Sequence, residues 1–360
     1  MSLICEIRAP MRIKRINHLI DFGRCNQSVL GIDIGGNNCK IAVREGGNIR
    51  MISERMPENM VRDGEIASPE TMAKFLSDLR EENKIREKNA ALVLGSSQVF
   101  FRHVTLPPMN VSELTLNLPY EFRDFITNDP SDYVYDYAVD EMKKDDEGKL
   151  VQMELYAAAV SKPIVESYTE MLRKAGFKLR MVTPAPMAYA RLLRNAQGTP
   201  AEEEGKDYVL VDIGHGAIVV SLFHGTRYDS ARTIDFGCNE LDGIIADIKG
   251  IDPYTASSYK YTNFEGVLDD PACLALCDRM AMEVSKVVNF YNFSNPEREI
   301  GQLCYMGGGA CIPQVVQSLS DMVSVPVTSV DVLLPPEASG HENSLVCALA
   351  VAGLLEGESM

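Results

Sequence analysis

The sequence predicts an α/β chain made of two duplicated halves, with a small α/β subdomain inserted into the first. Three observations predict it. Residues 29–52 (VLGIDIGGNNCKIAVREGGNIRMI) and 208–234 (YVLVDIGHGAIVVSLFHGTRYDSARTI) share one pattern. Each has an apolar β-rich run, then Asp-Ile-Gly and a few small or polar residues, then a second β-run, a Gly-containing turn and a third strand. Asp33 and Asp212 stand 179 positions apart in a chain of 360 residues, so the repeat is of half-chains and not of a solenoid. Helical periodicity follows each copy, whereas 107–160 departs from the echo.

The elements follow in order. Residues 69–87 place Met72, Phe75, Leu76 and Leu79 at helical spacing. Residues 91–105 read as two strands broken at Gly95. The departing stretch opens on Pro107-Pro108, holds an acidic helix (SELTLNLPYEFRDFI) and predicts strands over 132–141 and 150–160, joined at the charged turn Lys143–Lys149. The polar segment 196–206 (AQGTPAEEEGK) predicts the linker between halves. Residues 239–248 predict a helix capped by Asn239, and 278–293 a helix with Met282, Val284, Val287 and Val288 inward. Residues 302–317 read as a short strand, Gly307-Gly308-Gly309 and an amphipathic helix.

Composition bounds the function. Apolar residues make up 46% and charged residues 24%, the balance of a folded chain. Asp and Glu number 51 against 35 Lys and Arg, a net charge of −16, which argues against duplex nucleic acid as a partner. It leaves room for nucleotides, because backbone N–H groups can hold phosphates in an acidic protein. The longest uncharged apolar run, Asn343–Leu355, is too short for a spanning helix of ~20 residues. The N-terminal stretch has no apolar core followed by a small-residue cleavage site, which reads against a signal peptide. Nine scattered cysteines without CxxC read as buried or free thiols in a reducing compartment, Cys273 and Cys277 included. Segment 8–24 is basic (Arg8, Arg12, Lys14, Arg15 and Arg24 against Asp21) and carries Met11, Ile13, Ile16, Leu19 and Ile20. It reads as an element covering a domain edge, a terminal arm, or a membrane-surface helix.

The chemistry gathers in three glycine turns. In the first, Asp33, Gly35, Gly36, Asn37, Asn38 and Lys40 follow a strand. Glycines let consecutive backbone N–H groups face an anion, the Asp can hold a Mg²⁺-bound water, and the Lys can balance phosphate charge. The second turn, Asp212, Gly214, His215 and Gly216, comes from the other half, so the two can clamp a polyphosphate with a cation between their carboxylates. The third, Gly307 to Gly309, permits close approach of backbone to a ribose or purine. Each turn alone reads equally as a hairpin or tight packing. Ser96 and Ser97 lack a nucleophile elbow, and His103 in a strand and His341 in a polar loop read as structural.

The order DIGG…K, a second DIG loop and a late GGGA resembles the actin-like ATPase superfamily from about Val29 to Leu355. Within it, the chain resembles the PilM family of type IV pilus assembly, which is related to FtsA. The resemblance rests on LPPM (106–109), SDYVYDY (131–137), YAAAVSKPIVESYTEMLRKAGF (156–177), TPAPMAYARLL (183–193), DFGCNELDGIIADIKGID (235–252) and MGGGACIPQVVQSLSDMVSVPV (306–327).

It implies an actin-like ATPase fold of two ribonuclease-H-like halves. Residues 1–28 would be an extension, 29–195 the first half with its insert at about 100–160, 206–335 the second half, and 336–360 a segment packing back on the first. By resemblance, Asp33 to Lys40 is phosphate loop one, Asp212 to Gly216 phosphate loop two, and Gly307, Gly308, Gly309 and Ala310 the adenosine motif. Glu283 and Lys286 stand where relatives contact ribose and base, and they read equally as a surface ion pair. ATP and Mg²⁺, the latter near Asp33 and Asp212 through water, are the implied cofactors.

Two departures bear on turnover. Loop two continues Ala217, Ile218, Val219 without the usual hydroxyl, and His215 replaces a small residue. The helix start that brings a water-orienting carboxylate or amide in relatives reads Thr183-Pro184-Ala185-Pro186 here. The expectation is ATP binding with slow or no hydrolysis, and no catalytic residue is assigned.

The implied role is a cytoplasmic adaptor of a pilus, competence or secretion machine, peripheral at the inner face of the membrane. It would capture the N-terminal tail of a PilN-like bitopic protein, with other inner-membrane assembly components as partners and self-association open. Two other readings share the fold. A sugar or small-acid kinase would need a substrate-cleft Asp motif, which is not evident. An FtsA-like filament protein would be expected to end in a basic amphipathic helix, and the chain ends AVAGLLEGESM.

Overall fold

A computed structural model describes residues 28–62, 64–196 and 206–358. The basic segment 8–24 and the linker residues 197–205 lie outside the described residues.

The first meander is β1 (Leu30–Ile34), β2 (Asn38–Glu45) and β3 (Asn48–Arg55), antiparallel throughout. A two-residue pair, β4 (Val61–Arg62) and β5 (Glu65–Ile66), leads into helix α1 (Pro69–Glu82). Ser68 caps that helix by accepting from the Thr71 N–H at 3.3 Å, and Pro69 sits where its missing N–H has no intrahelical partner to lose. Its Met72, Leu76 and Leu79 are buried against the sheet. Strand β6 (Asn89–Leu94) runs parallel to β1.

The chain then leaves for the insert: β7 (Phe100–Leu106), α2 (Val111–Asn117), β8 (Tyr133–Lys144) and β9 (Leu150–Ser161). Its three strands form an antiparallel sheet in the order β7-β9-β8, with the charged tip between β8 and β9. Asn110 and Glu113 make a reciprocal capping box that starts α2. Leu114, Leu118 and Phe122 cover the sheet.

Helix α3 (Lys162–Lys174) returns to the first half, β10 (Lys178–Pro184) pairs parallel with β6, and α4 (Ala185–Asn195) follows. The first sheet is therefore ordered β10-β6-β1-β2-β3.

The second half repeats this plan. Strands β11 (Lys206–Ile213), β12 (Ile218–His224) and β13 (Arg227–Ile234) form the meander. Helices α5 (Asn239–Lys249), α6 (Pro253–Thr262) and α7 (Pro271–Ser294) precede β14 (Glu299–Met306). Helix α8 (Pro313–Met322), β15 (Val327–Ser329) and α9 (Ser344–Glu358) complete it. The sheet order β13-β12-β11-β14-β15 matches the first sheet strand for strand.

Two helices join the halves. Helix α9 is apolar all round, as a helix buried on every side must be. Together with α4 it shares one core with Tyr208, Leu210 and Phe223 of the second sheet. Its backbone lies so close to β1 that a Cβ on Gly31 would sit 1.8 Å from the Ala350 carbonyl oxygen. No helix among the described residues is long and apolar enough to cross a membrane.

Two sequence expectations fail locally. Asn239 is the first helical residue of α5 and makes no side-chain cap. The Cys238 and Asn239 N–H groups bond instead to the Gly214 and His215 carbonyls at 3.1 and 2.8 Å, so the second turn caps this helix with its backbone. Met282 is 49% exposed, because α7 begins at Pro271 and its buried stripe runs through Cys273, Cys277, Met280, Ala281, Val284 and Val288.

Candidate functional site

The two Asp-Gly turns face each other across one cleft of about 540 Å³, within the size range of small-molecule sites. In the first, the Gly35 N–H bonds to the Asn38 carbonyl at 3.1 Å and closes the turn between β1 and β2. In the second, the Gly214 N–H bonds to the Ala217 carbonyl at 3.0 Å, the same closure at the matching position. A Cβ on Gly36 would lie 3.8 Å from the His215 ring, so the turn tips nearly meet.

Charge concentrates at the floor. Asp33 and Lys40 are ladder partners, and the Lys40 ammonium is 3.0 Å from the Asp33 carboxylate. Burial pulls the Lys40 ammonium down, but Asp33 and Asp212 outweigh it and hold its pKa above the usual value. Asp212 accepts from the Tyr189 hydroxyl of α4 at 3.1 Å. Burial raises its carboxyl pKa against the pull of Lys40, and Asp33 adds to the rise. Burial and Asp212 together push the Tyr189 hydroxyl well up, so it remains a donor.

The third glycine run closes the end of the cleft. β14 runs beside β11 with Met306 opposite Asp212, and Gly307 follows at φ +90°. A Cβ there would stand 2.3 Å from Asp212 Oδ1, so only glycine lets this backbone pass the carboxylate. The Gly307 N–H is anchored to the Leu345 carbonyl at 2.9 Å, just ahead of the Cys347–Leu355 stretch of α9 that shares the inter-half core.

Asp33, Gly35, Gly36, Asn37, Asn38, Lys40, Asp212, Gly214, His215, Gly307, Gly308 and Gly309 all line the cleft. Four other proposed residues do not. Gly216 is exposed and Ala310 is buried, and neither is part of the wall. Glu283 and Lys286 form an ion pair at 2.7 Å and line a separate groove on α7 with Arg232, Phe236, Arg279 and Phe290.

Sequence reasoning missed other wall residues. Lys260 of α6 is buried, paired with Asp242 at 2.7 Å and donating to the Cys238 carbonyl at 2.9 Å. The available signal was its place on the same helical face as Ala256 and Ser257, one turn on. Ser53, Glu54 and Arg55 of β3 add to the first-half wall. Side chains of the two halves meet across the cleft mouth. Asn37 Nδ2 donates to the Tyr261 hydroxyl at 3.3 Å, and the Arg55 guanidinium lies 4.0 Å over the Tyr254 ring. His215 is pushed down to about 4 by burial, with Lys260 and Arg55 adding to the effect, so its imidazole is neutral near pH 7.

Duplicated sheets, two matching Asp-Gly turns and a third glycine turn beside the second define the actin-like ATPase fold. A family model described as "Type IV pilus assembly protein PilM" matches residues 31–343, and the chain belongs to that family. Among solved structures, it is similar to the one titled "PilM-PilN type IV pilus biogenesis complex", with a TM-score of 0.76 and 21% identity over 92% of this chain and 98% of that one. It is also similar to the ethanolamine utilization protein EutJ from Carboxydothermus hydrogenoformans, with a TM-score of 0.55 and 13% identity over 91% of this chain and 88% of that one. No curated protein matches it by sequence.

Proposed function

We propose that this type IV pilus assembly protein binds Mg²⁺·ATP in the cleft, hydrolyses it slowly or not at all, and works as an adaptor. The observation that carries the reading is the pair of matching turns that face one cavity, with Asp33, Lys40 and Asp212 at its floor. Backbone N–H groups of the glycine turns suit phosphate oxygens, and Lys40 suits their charge. The donor set fits a hydrated Mg²⁺, because Asp33 and Asp212 offer hard carboxylate oxygens in the cleft. Bound there, the ion would neutralise phosphate charge. Slow hydrolysis is supported by the start of α4, where Thr183, Pro184, Ala185 and Pro186 supply neither carboxylate nor amide to orient a water.

The partner reading follows the family and the likeness to a PilM-PilN complex. The protein is peripheral to the cytoplasmic face of the membrane and is held there by the N-terminal tail of a PilN-like bitopic protein. Two measurements test the proposal. Mg²⁺·ATP binding is expected by calorimetry, with single-turnover hydrolysis slower than nucleotide release. A synthetic tail peptide of the bitopic partner is expected to bind the full chain. Brisk turnover would sink the slow-hydrolysis reading, and no peptide binding with or without ATP would sink the adaptor reading.

A further inference from the structure

The insert carries a side-chain cluster that the cleft does not use. His103 of β7, Asp140 of β8 and Glu154 of β9 each offer one ligand atom, all within 4.8 Å of one another. The ladder explains two of them. His103 is opposite Tyr156 and Glu154 is opposite Thr105, so they are diagonal neighbours on one face. Asp140 joins them through a bulge. The β8–β9 register passes from Val139–Leu155 to Glu141–Glu154, which leaves Asp140 as the extra residue.

The spacing suits a small cation. His103 Nε2 is 3.3 Å from Asp140 Oδ2 and 4.0 Å from Glu154 Oε2. Tetrahedral bonds of about 2.0–2.2 Å put ligand atoms about 3.3–3.6 Å apart. The first distance already matches, and the second closes with a small rotation of Glu154.

The remaining carboxylate oxygens are held from outside. Arg227 Nε is 3.4 Å from Asp140 Oδ1, while Lys143 and Gln152 donate to Glu154 Oε1. Such outer partners fix Asp140 Oδ2 and Glu154 Oε2 toward the imidazole, as metal-binding carboxylates require. The side chains of Asp140 and Glu154 are 6% and 14% exposed and that of His103 is 34% exposed, so the set is covered on the carboxylate side and open to water beside the imidazole.

We propose that His103, Asp140 and Glu154 form a site for one borderline divalent cation, Zn²⁺, with three protein ligands and one solvent position. The charges of Arg227 and Lys143 keep its affinity moderate. The site lies on a seam, because Arg227 belongs to β13 of the second half and also reaches Glu141 at 3.3 Å. Beside it, the Tyr156 hydroxyl donates to the Tyr228 carbonyl at 2.9 Å and the Phe101 ring meets Tyr228 edge-on at 5.4 Å. All three ligands come from the insert, so a cation here would tie β7, β8 and β9 together beside that seam.

The test is titration of the full chain with Co²⁺, a coloured stand-in for Zn²⁺, without nucleotide. One equivalent is expected to give tetrahedral visible absorption with no thiolate charge-transfer band, to be displaced by Zn²⁺, and to shift a single imidazole resonance among the five histidines. His103→Ala and, separately, Glu154→Gln should weaken uptake at least tenfold, and His341→Ala should leave it unchanged. Absence of stoichiometric uptake, a thiolate band, or equal uptake in wild type and both variants would overturn the site. The spectrum and imidazole shift of the wild type decide the matter even if a variant fails to fold.

Discussion

The turn after β1 and the turn after β11 close with the same backbone bond, yet their aspartates are held differently. Asp33 has a lysine as its ladder partner, and the ammonium neutralises it at 3.0 Å. Asp212 has Val219 in the corresponding place. It relies on the Tyr189 hydroxyl and on Lys40 from the other half, and burial leaves its carboxyl pKa raised. Duplication therefore kept the backbone plan while the charge came to be shared. One lysine serves both carboxylates, and the second half carries a desolvated acid that a ligand's cation would relieve.

The largest expected effect breaks this sharing. Lys40→Met is expected to weaken Mg²⁺·ATP binding by about 10- to 100-fold, since a charged hydrogen bond contributes about 1.5–3 kcal/mol. Val219→Ile at the matching position should stay within about 2-fold. Calorimetry on both variants decides it, and equal losses would erase the asymmetry.

Similar in size is a pair of opposite effects on the ligand-free protein. Asp33→Asn leaves Lys40 with one fewer counter-charge and should cost about 2–3 kcal/mol, below the full value for a wholly buried pair. Asp212→Asn removes a desolvated charge, keeps an oxygen for Tyr189, and should stabilise by about 1 kcal/mol while weakening Mg²⁺ binding. Urea denaturation measures both. Destabilisation by both variants to the same degree would contradict the different holding of the two acids.

The pH dependence has a definite sign for each group. Asp212's folded pKa is raised, so the stability linked to it is complete below its unfolded value of 3.8 and is lost as pH rises through the folded value. His215 runs the other way. The unfolded imidazole takes a proton near 6.5 and the folded one only near 4, so stability falls as pH drops through that window and levels off below it. His215→Gln should make that fall shallower in denaturation curves taken at several pH values. An unchanged slope would mean that the ring is not held neutral.

Much of this was legible in the sequence because it was local. The echo of Asp-Ile-Gly, the strand-turn-strand alternation and the late glycine run depend on near neighbours, and the turns they imply face one cleft. What stayed hidden depends on distant packing. Lys260 is a wall residue because α6 folds over Asp242 and Cys238, and its place on the Ala256 and Ser257 face gives the side of the helix but not the partner that accepts its ammonium. Asn239 has the right chemistry for a cap, but the second turn's carbonyls reach the helix start first. Glu283 and Lys286 line a separate groove on α7 with Arg232 and Phe236 of the second meander's end, neighbours that their own helix does not name.

The smallest expected effect concerns the mouth of the cleft. Its base is fixed by α4 and α9, whose apolar side chains form a core common to both sheets. The mouth is crossed by the Arg55–Tyr254 stack and the Asn37–Tyr261 hydrogen bond, contacts of a different energetic order. A cation–π contact at a half-exposed ring contributes about 0.5–1 kcal/mol. A hydrogen bond at 3.3 Å adds a similar amount. Opening at the mouth should therefore be easy while the base stays closed. Tyr254→Ala is expected to raise the release rate of a fluorescent ATP analogue by about 3-fold in stopped flow, with association little changed. A change beyond about tenfold would mean that Tyr254 touches the nucleotide itself, and no change would mean that the stack does not hold the halves together.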